Sequence, residues 1–289
     1  MKLLKALKCD LNKTIINAGF WISTLITCML CFTANVYKDM SIEKTYSVFE
    51  AIFTLDKGVI LSDYSFASII IFQKALTGYI TMFIPIIVAF PFMISFCAER
   101  NNGLMRFTIT RTGKNKYYLS KFFSSIISGG LAVAIGVLIF GMMSFIIFPS
   151  LESYNLPTED LSWILQDTSF MITIKMILSA FLVGAISTLP AFFLSSFCRN
   201  PYLITCLPFM FNYIWTTGLS KLYAKGLEEG NYDIYEKLEP FYPTSISNIV
   251  SWQEFGEVAK KTLVFNAGYV VVLLVGFILI MNRRIDKGV

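Results

Sequence analysis

The chain contains 289 residues, of which 55% are hydrophobic and only 15% are charged, and its net charge at pH 7 is +5. Because a soluble domain usually carries about a quarter charged residues, the composition argues against a soluble protein and predicts an all-α integral membrane protein. The sequence has no histidine and no G-x-x-x-x-G-K-[ST] phosphate-binding loop, so neither catalysis nor a bound cofactor or metal is expected in this chain.

Residues 1–13 combine four lysines with leucines at helical spacing: Leu3, Leu4, Leu7 and Leu11. This pattern predicts an amphipathic helix that lies on the membrane surface. The alternative is a charged flank that only orients the span that follows.

Six apolar stretches follow, and each is long enough to cross the hydrocarbon core of a bilayer. The predicted spans cover about 14–34, 76–97, 122–148, 176–197, 202–219 and 263–281. Pro85 and Pro91 each lack a backbone donor and should bend the second span. The first span has small residues at every fourth position (Gly19, Ser23, Thr27 and Cys31), a ridge that lets membrane helices approach closely.

The distribution of charge predicts the orientation. Residues 98–121, which we call the island segment, contain six basic residues and one acidic residue. Basic residues concentrate in short cytoplasmic segments, so the island segment and both termini are predicted to be cytoplasmic. In that orientation the cytoplasmic segments contain fourteen basic and three acidic residues, and residues 220–262 form an external loop. Membrane orientation therefore accounts for the positive charge, and no nucleic-acid partner is expected.

The predicted spans contain no interior carboxylate, which argues against a proton relay or cation site within the membrane. Their most notable polar residue is Asn212, which is followed by Tyr213 and by Thr216 one turn later. Two interpretations remain open for these three residues. One is an interhelical hydrogen bond, and the other is a position on a translocation pathway.

The island segment also carries a recognisable order of residues. Glu99-Arg100 is followed by Gly103-Leu104, then by Thr110-Arg111-Thr112, and the segment closes on Tyr118-Leu119-Ser120-Lys121. This order resembles the loop between the second and third spans of ABC transporter permeases of the second exporter class. The six spans, the N-terminal amphipathic helix and the long external loop are similar to that family as well. The sequence departs from the family at Leu104, where threonine is common, and it lacks the usual proline within the loop.

The resemblance implies that a short cytoplasmic helix of the island segment docks into a groove of a separate ATPase subunit. Leu104 and Phe107, with Met105, would supply an apolar anchor. The basic residues would pair with acidic groups on the ATPase, and Gly103 and Gly113 would bound the helix. The residues assigned to coupling are Glu99, Arg100, Gly103, Leu104, Arg106, Phe107 and Arg111. The alternative is that these basic residues bind only anionic lipid headgroups.

The predicted function is the membrane-spanning permease subunit of an ATP-driven exporter in a bacterial plasma membrane. The implied partners are an ABC ATPase that binds ATP and magnesium, a second permease copy or homologue, and membrane lipid. The abundant phenylalanine, 27 residues in all, suggests a hydrophobic or amphipathic cargo such as an antimicrobial peptide or a lipid-like molecule. The alternatives are a membrane scaffold or sensor subunit that does not transport, and a secondary transporter driven by an ion gradient.

Overall fold

A computed structural model describes residues 2–39, 43–154, 168–230, 233–247 and 257–286. The protein is mostly helical, at 81%. In chain order the helices are α1 (Lys2–Ile16), α2 (Ala18–Cys31), α3 (Val48–Thr54), α4 (Lys57–Ser62), α5 (Ser68–Gln73), α6 (Ile80–Ile87), α7 (Phe90–Asn101), α8 (Leu104–Thr112), α9 (Lys114–Ile147), α10 (Ser169–Ser187), α11 (Leu189–Leu194), α12 (Pro201–Glu228), α13 (Ile234–Leu238) and α14 (Glu257–Asp286). Short 3₁₀ helices cover Tyr64–Phe66, Leu151–Tyr154 and Glu239–Phe241.

Four helical stretches of the described chain are long and apolar enough to cross a membrane. They are Ile80–Asn101, Lys114–Tyr154, Ser169–Leu194 and Glu257–Arg283. A fifth is added if the bent pair of α1 and α2 counts as one span. α12 is not among them, because Asn212 and its polar neighbours lower the hydropathy of an otherwise apolar helix. The prediction of six spans is therefore matched in part.

The helical fold class is confirmed in its main part, and the described chain adds one short two-stranded sheet. Strands β1 (Asn35–Asp39) and β2 (Lys44–Ser47) pair as an antiparallel hairpin that follows α2. Tyr37 lies opposite Tyr46 in this hairpin, and cross-strand aromatic pairs of this kind stabilise two-stranded sheets. The Lys74 ammonium, just before the predicted second span, donates to the Val36 carbonyl of β1 at 2.9 Å.

The N-terminal helix is separate from the apolar helix that follows, as its composition predicts, but the boundary lies later than residue 13. α1 continues to Ile16, and α2 begins at Ala18 after a bend of 60°. Asn17 occupies the N-cap of α2, where its side chain accepts a hydrogen bond from the Gly19 amide at 3.3 Å. An amide side chain at an N-cap satisfies a donor that has no partner inside the helix, so Asn17 starts a new helix at the bend.

α9 is the central helix, and it packs against α1, α2, α7 and α10. Small residues allow these approaches. A Cβ atom on Gly136 would lie 2.6 Å from the Thr27 Cβ of α2, and one on Gly184 of α10 would lie 2.9 Å from the Gly129 carbonyl oxygen. The predicted small-residue ridge of the first span is therefore a packing surface of α2 against α9.

The ridge on α2 also supplies a hydrogen bond that a proline removes. α6 and α7 are separated at residues 88–89, and Pro91, in the first turn of α7, has no amide hydrogen that could bond to the Ile87 carbonyl. The Ser23 hydroxyl, which is fully buried, lies 2.8 Å from that carbonyl oxygen and donates to it. A residue of the predicted ridge therefore donates a hydrogen bond to the backbone at the predicted bend.

Helices extend beyond the apolar stretches at four of the predicted span boundaries. The island segment is helical except at its glycine breaks, since α7 reaches Asn101 and α9 begins at Lys114. α12 continues to Glu228, which shortens the predicted external loop 220–262, and α14 begins at Glu257. A helix ends at a glycine, a proline or a capping residue, and the change from apolar to polar residues does not by itself end it.

Candidate functional site

Helix α8 is a short element set off by two glycines. Gly103 precedes it with φ 71° and Gly113 follows it with φ 91°. Residues with a Cβ atom rarely adopt this backbone conformation, so glycine is required at both ends. The nine residues of α8 make about two and a half turns, as the glycine pattern predicts despite the β-branched residues Thr108, Ile109 and Thr110.

The two faces of α8 differ. Met105 is only 7% exposed, and with Ile109 it packs into a buried cluster formed by α7, α9, α11 and α14. On the opposite face, Leu104 is 51% exposed and Phe107 is 71% exposed. Met105 therefore holds α8 against the bundle, which corrects its predicted place in the anchor, whereas Leu104 and Phe107 point away from the protein.

Exposed basic residues surround the outward face of α8. Arg106 and Arg111 lie on α8 itself, and Lys114 and Lys116 are exposed on the first turn of α9. The exposed ring of Phe107 shares this helix with exposed basic residues, and burying the ring against a partner would be favourable. The outward face is therefore suited to contact either a protein with acidic groups or a lipid surface.

Glu99 belongs to a buried ion cluster that links three helices. The Lys121 ammonium of α9 lies 2.7 Å from a carboxylate oxygen of Glu99 on α7 and 2.7 Å from one of Asp10 on α1. Lys13 contacts the other oxygen of Glu99 at 2.6 Å, and the Ser120 hydroxyl donates to Asp10 at 2.6 Å. We call these four charged residues, Asp10, Lys13, Glu99 and Lys121, the ion cluster.

Burial differs within the ion cluster. The Lys121 side chain is 5% exposed, Glu99 is 12% exposed and Asp10 is 14% exposed, whereas Lys13 is 49% exposed. A buried charge is tolerated when it is paired and hydrogen-bonded. Lys121 therefore joins α1 and α7 to the base of α9, and Lys13 adds a contact at the surface.

Arg100 also points into the bundle. Its guanidinium donates to the backbone carbonyls of Ser195, Cys198 (3.0 Å) and Ser196 (3.5 Å), just beyond the end of α11. Carbonyl groups at the end of a helix lack intrahelical partners, and a positive charge there is favourable. In this position Arg100 contacts its own chain, and its predicted pairing with acidic groups of a partner stays a prediction.

The seven residues assigned to coupling thus divide into two groups. Leu104, Arg106, Phe107 and Arg111 are exposed on the outward side, whereas Glu99 and Arg100 hold neighbouring segments and Gly103 sets the start of α8. Sequence reasoning missed Asp10 and the inward role of Lys121. Two features of the sequence pointed to this pair: Asp10 is the single aspartate of a lysine-rich helix, and Lys121 lies at the edge of an apolar stretch.

A second candidate site is a cavity of about 550 Å³ bounded by α6, α10, α11, α12 and α14. Small-molecule sites commonly enclose 300–1,000 Å³. Aromatic side chains form much of its wall: Phe193, Phe211, Trp215, Phe241, Tyr242, Phe265 and Tyr269. None of the described residues that line it is charged. The cavity therefore has the size and composition of a site for an apolar molecule.

Asn212 lines this cavity and has a structural partner. Pro85 on α6 has no amide hydrogen, so the Thr81 carbonyl one turn earlier lacks its helical donor. The Asn212 side-chain nitrogen donates to that carbonyl at 3.3 Å. This is the interhelical hydrogen bond of the first interpretation. Tyr213 and Thr216 are not among the described residues that line the cavity.

Sequence reasoning missed Asn266, which lies on α14 and lines the same cavity. Its side chain is held by a hydrogen bond from Nδ2 to the Thr262 carbonyl at 2.8 Å, and the residue is only 7% exposed. The signal was present in the sequence, because Asn266 interrupts the sixth apolar stretch as Asn212 interrupts the fifth.

The segment between α13 and α14 closes one side of the cavity. The Trp215 indole nitrogen donates to the Phe241 carbonyl at 2.9 Å, and the Phe241 ring packs edge-on against Phe265 with centroids 5.0 Å apart. This part of the predicted external loop therefore folds back onto α12 and α14.

The comparisons with known proteins identify no relative of the chain. No protein-family model matches the chain, and a search of curated proteins finds no match. The functional argument therefore rests on the helices, contacts and surfaces described above.

Proposed function

We propose that the chain is the permease subunit of an ATP-driven ABC exporter. In this proposal it crosses a bacterial plasma membrane six times with both termini in the cytoplasm, and a partner ATPase binds ATP and magnesium. A second permease copy or homologue completes the complex. The observation that carries the proposal is the outward face of α8, where Leu104 and Phe107 are exposed within a basic surrounding.

The contacts of α8 are those that a coupling element requires. Met105 and Ile109 fix its inner face to the bundle, so a force applied to Phe107 would reach α7 and α9. The ion cluster ties α1 to the same helices. In the proposed cycle, closure of the ATPase pair on ATP displaces α8 and α1 together. The bundle then repacks between inward-facing and outward-facing states.

The decisive test is loss of the ATPase when the outward face is changed. Phe107→Ala removes an exposed apolar anchor, and truncation of such an anchor at an interface typically costs about 2 kcal/mol or more, roughly thirtyfold in affinity. Arg106→Glu should weaken binding further by opposing the partner's acidic groups. The measurement is the amount of an ATPase with a phosphate-binding loop that copurifies with the tagged chain, together with its ATP turnover.

Matched variants control this test. Phe53→Ala removes a phenylalanine that is 72% exposed on α3, close to the 71% of Phe107 but in a segment predicted to be external. Lys57→Glu makes the same change of charge as Arg106→Glu at an exposed lysine of α4, also in the segment predicted to be external. If all four variants retain the ATPase at the level of the unaltered chain, α8 does not couple. A scaffold, a sensor or a secondary transporter would then be favoured.

The proposed orientation has its own test. In a variant without native cysteines, single cysteines at Asp56, Glu159 and Glu229 should react with an impermeant thiol reagent on intact cells. A cysteine at Lys114 should react only after the cells are opened. Glu159 lies outside the described residues, so Asp56 and Glu229 are the sites whose exposure is known. Labelling at position 114 on intact cells would reverse the orientation.

A further inference from the structure

The cavity is lined by an asparagine, Asn266, whose side-chain oxygen is available to accept a hydrogen bond. Asn266 donates one hydrogen bond from Nδ2 to the Thr262 carbonyl, and its Oδ1 has no partner among the described residues. The residue is 7% exposed and lines the cavity. This oxygen is accessible and not enclosed, because the enclosed side-chain oxygens without a partner in the described chain are those of Tyr117, Tyr118, Ser124 and Asn282. Asn266 therefore offers the cavity a hydrogen bond that a bound molecule could complete.

The remaining walls select against charge. Phe211, Trp215 and Tyr269 present aromatic surface, and the described lining contains no charged residue that could neutralise an ion. Moving an unpaired charge into such surroundings is costly, whereas apolar groups gain from the transfer. The cavity should therefore prefer an uncharged molecule.

One wall of the cavity is accessible from outside the bundle. Phe211 is 61% exposed and Trp215 is 50% exposed, although both line the cavity. If α12 crosses the bilayer as proposed, exposed side chains of this helix would be open to lipid. A molecule dissolved in the membrane could enter past these two side chains without crossing water.

We propose that this cavity binds an uncharged amphipathic molecule, with its apolar body against the aromatic wall and one hydroxyl or amide group bonded to Asn266. That this molecule is the exported cargo rests on the proposed function, whereas the binding itself does not. Phospholipid tails that only coat the outer surface are the competing explanation, and the test separates the two.

The test uses the full chain in phosphatidylcholine nanodiscs and a diazirine derivative of dodecanol as a photoreactive probe. Labelling is expected on the cavity side of α12 and α14, near Phe211, Trp215 and Asn266. Unlabelled dodecanol should compete at least tenfold better than dodecyl phosphate, which carries a charge on the same chain. Equal competition by the two would overturn the preference for uncharged molecules.

Two variants locate the site. Ser187→Phe places a ring in the cavity and should lower labelling about tenfold, whereas Ser220→Phe makes the same change at an exposed position of α12 outside the cavity and should not. Asn266→Leu should weaken the dodecanol probe about tenfold and leave a dodecane diazirine without a hydroxyl unaffected. Asn115→Leu is its exposed control on α9.

The outcomes distinguish this inference from the proposed function. Labelling that is as strong on the exposed residues Val264 and Val272 of α14 as in the cavity, and that is insensitive to both variants, would show lipid-like coating and overturn it. Because no ATPase takes part, cavity labelling together with failure of the Phe107 test would leave a binding site in a protein that is not an ATP-driven exporter.

Discussion

The ion cluster and the cavity both place polar groups in a largely apolar bundle, but they differ in whether those groups have hydrogen-bond or ion-pair partners. In the ion cluster, Lys121 has two carboxylates within 2.7 Å and Glu99 has a second cation. In the cavity, the Asn266 side-chain oxygen receives no hydrogen bond from the residues that the structure describes, and it lies beside open space. Fully paired groups fix helices relative to one another, whereas an unpaired group beside a void is suited to a ligand.

The largest expected effect follows from removing Lys121. Lys121→Met leaves the buried carboxylates of Asp10 and Glu99 facing each other without the shared cation, and breaking a buried pair in this way typically costs about 3–5 kcal/mol. The thermal unfolding midpoint of the purified protein should fall by on the order of 10 °C. Scanning fluorimetry in detergent measures this change.

Lys13→Met is the matched control in the same cluster. Lys13 contacts Glu99 but is 49% exposed, and exposed ion pairs contribute about 0–1 kcal/mol. Its unfolding midpoint should change by no more than about 2 °C. Equal destabilisation by the two variants would show that burial does not set the strength of these contacts.

A smaller effect separates the two amides of the cavity. Asn212→Leu removes the donor to the Thr81 carbonyl, which Pro85 leaves without a helical partner, and should cost about 1–3 kcal/mol. Asn266→Leu removes only a bond to its own helix and a group with an unused acceptor, so stability should stay within about 0.5 kcal/mol. The free energy of unfolding in a denaturant series measures both.

Two outcomes would contradict this difference between Asn212 and Asn266. If Asn266→Leu destabilises the protein as much as Asn212→Leu does, then Asn266 is a packing residue and its amide is not reserved for a ligand. If both are neutral, the Pro85 break does not need the donor from α12.

Features that depend on neighbouring residues could be predicted from the sequence. Gly103 and Gly113 bound α8 because a positive φ is a local requirement. The small residues from Gly19 to Thr27 pack closely because helical spacing alone places them on one face. Phe107 is different: its place in an apolar anchor came from the resemblance, and although its side chain is exposed, the anchor stays a prediction.

Features that depend on distant pairing could not be predicted. Asp10 and Lys121 are 111 residues apart, and no local pattern indicates that a bend of 60° at Asn17 brings them together. The role of Arg100 required knowing where α11 ends. Arg100 was assigned from the resemblance and from its charge, and neither says whether a side chain faces a partner or a carbonyl of its own chain.

The length of α9 has a mechanical consequence. Its 34 residues extend about 51 Å at 1.5 Å per residue, whereas the hydrocarbon core of a bilayer is about 30 Å thick. One end follows α8 directly at Gly113, and just beyond the other end the Pro149 carbonyl accepts a hydrogen bond from the Ser68 amide at 2.9 Å. Such a rod acts as a lever, so in the proposed orientation a tilt imposed at α8 would swing the segment around Ser68 in the opposite direction.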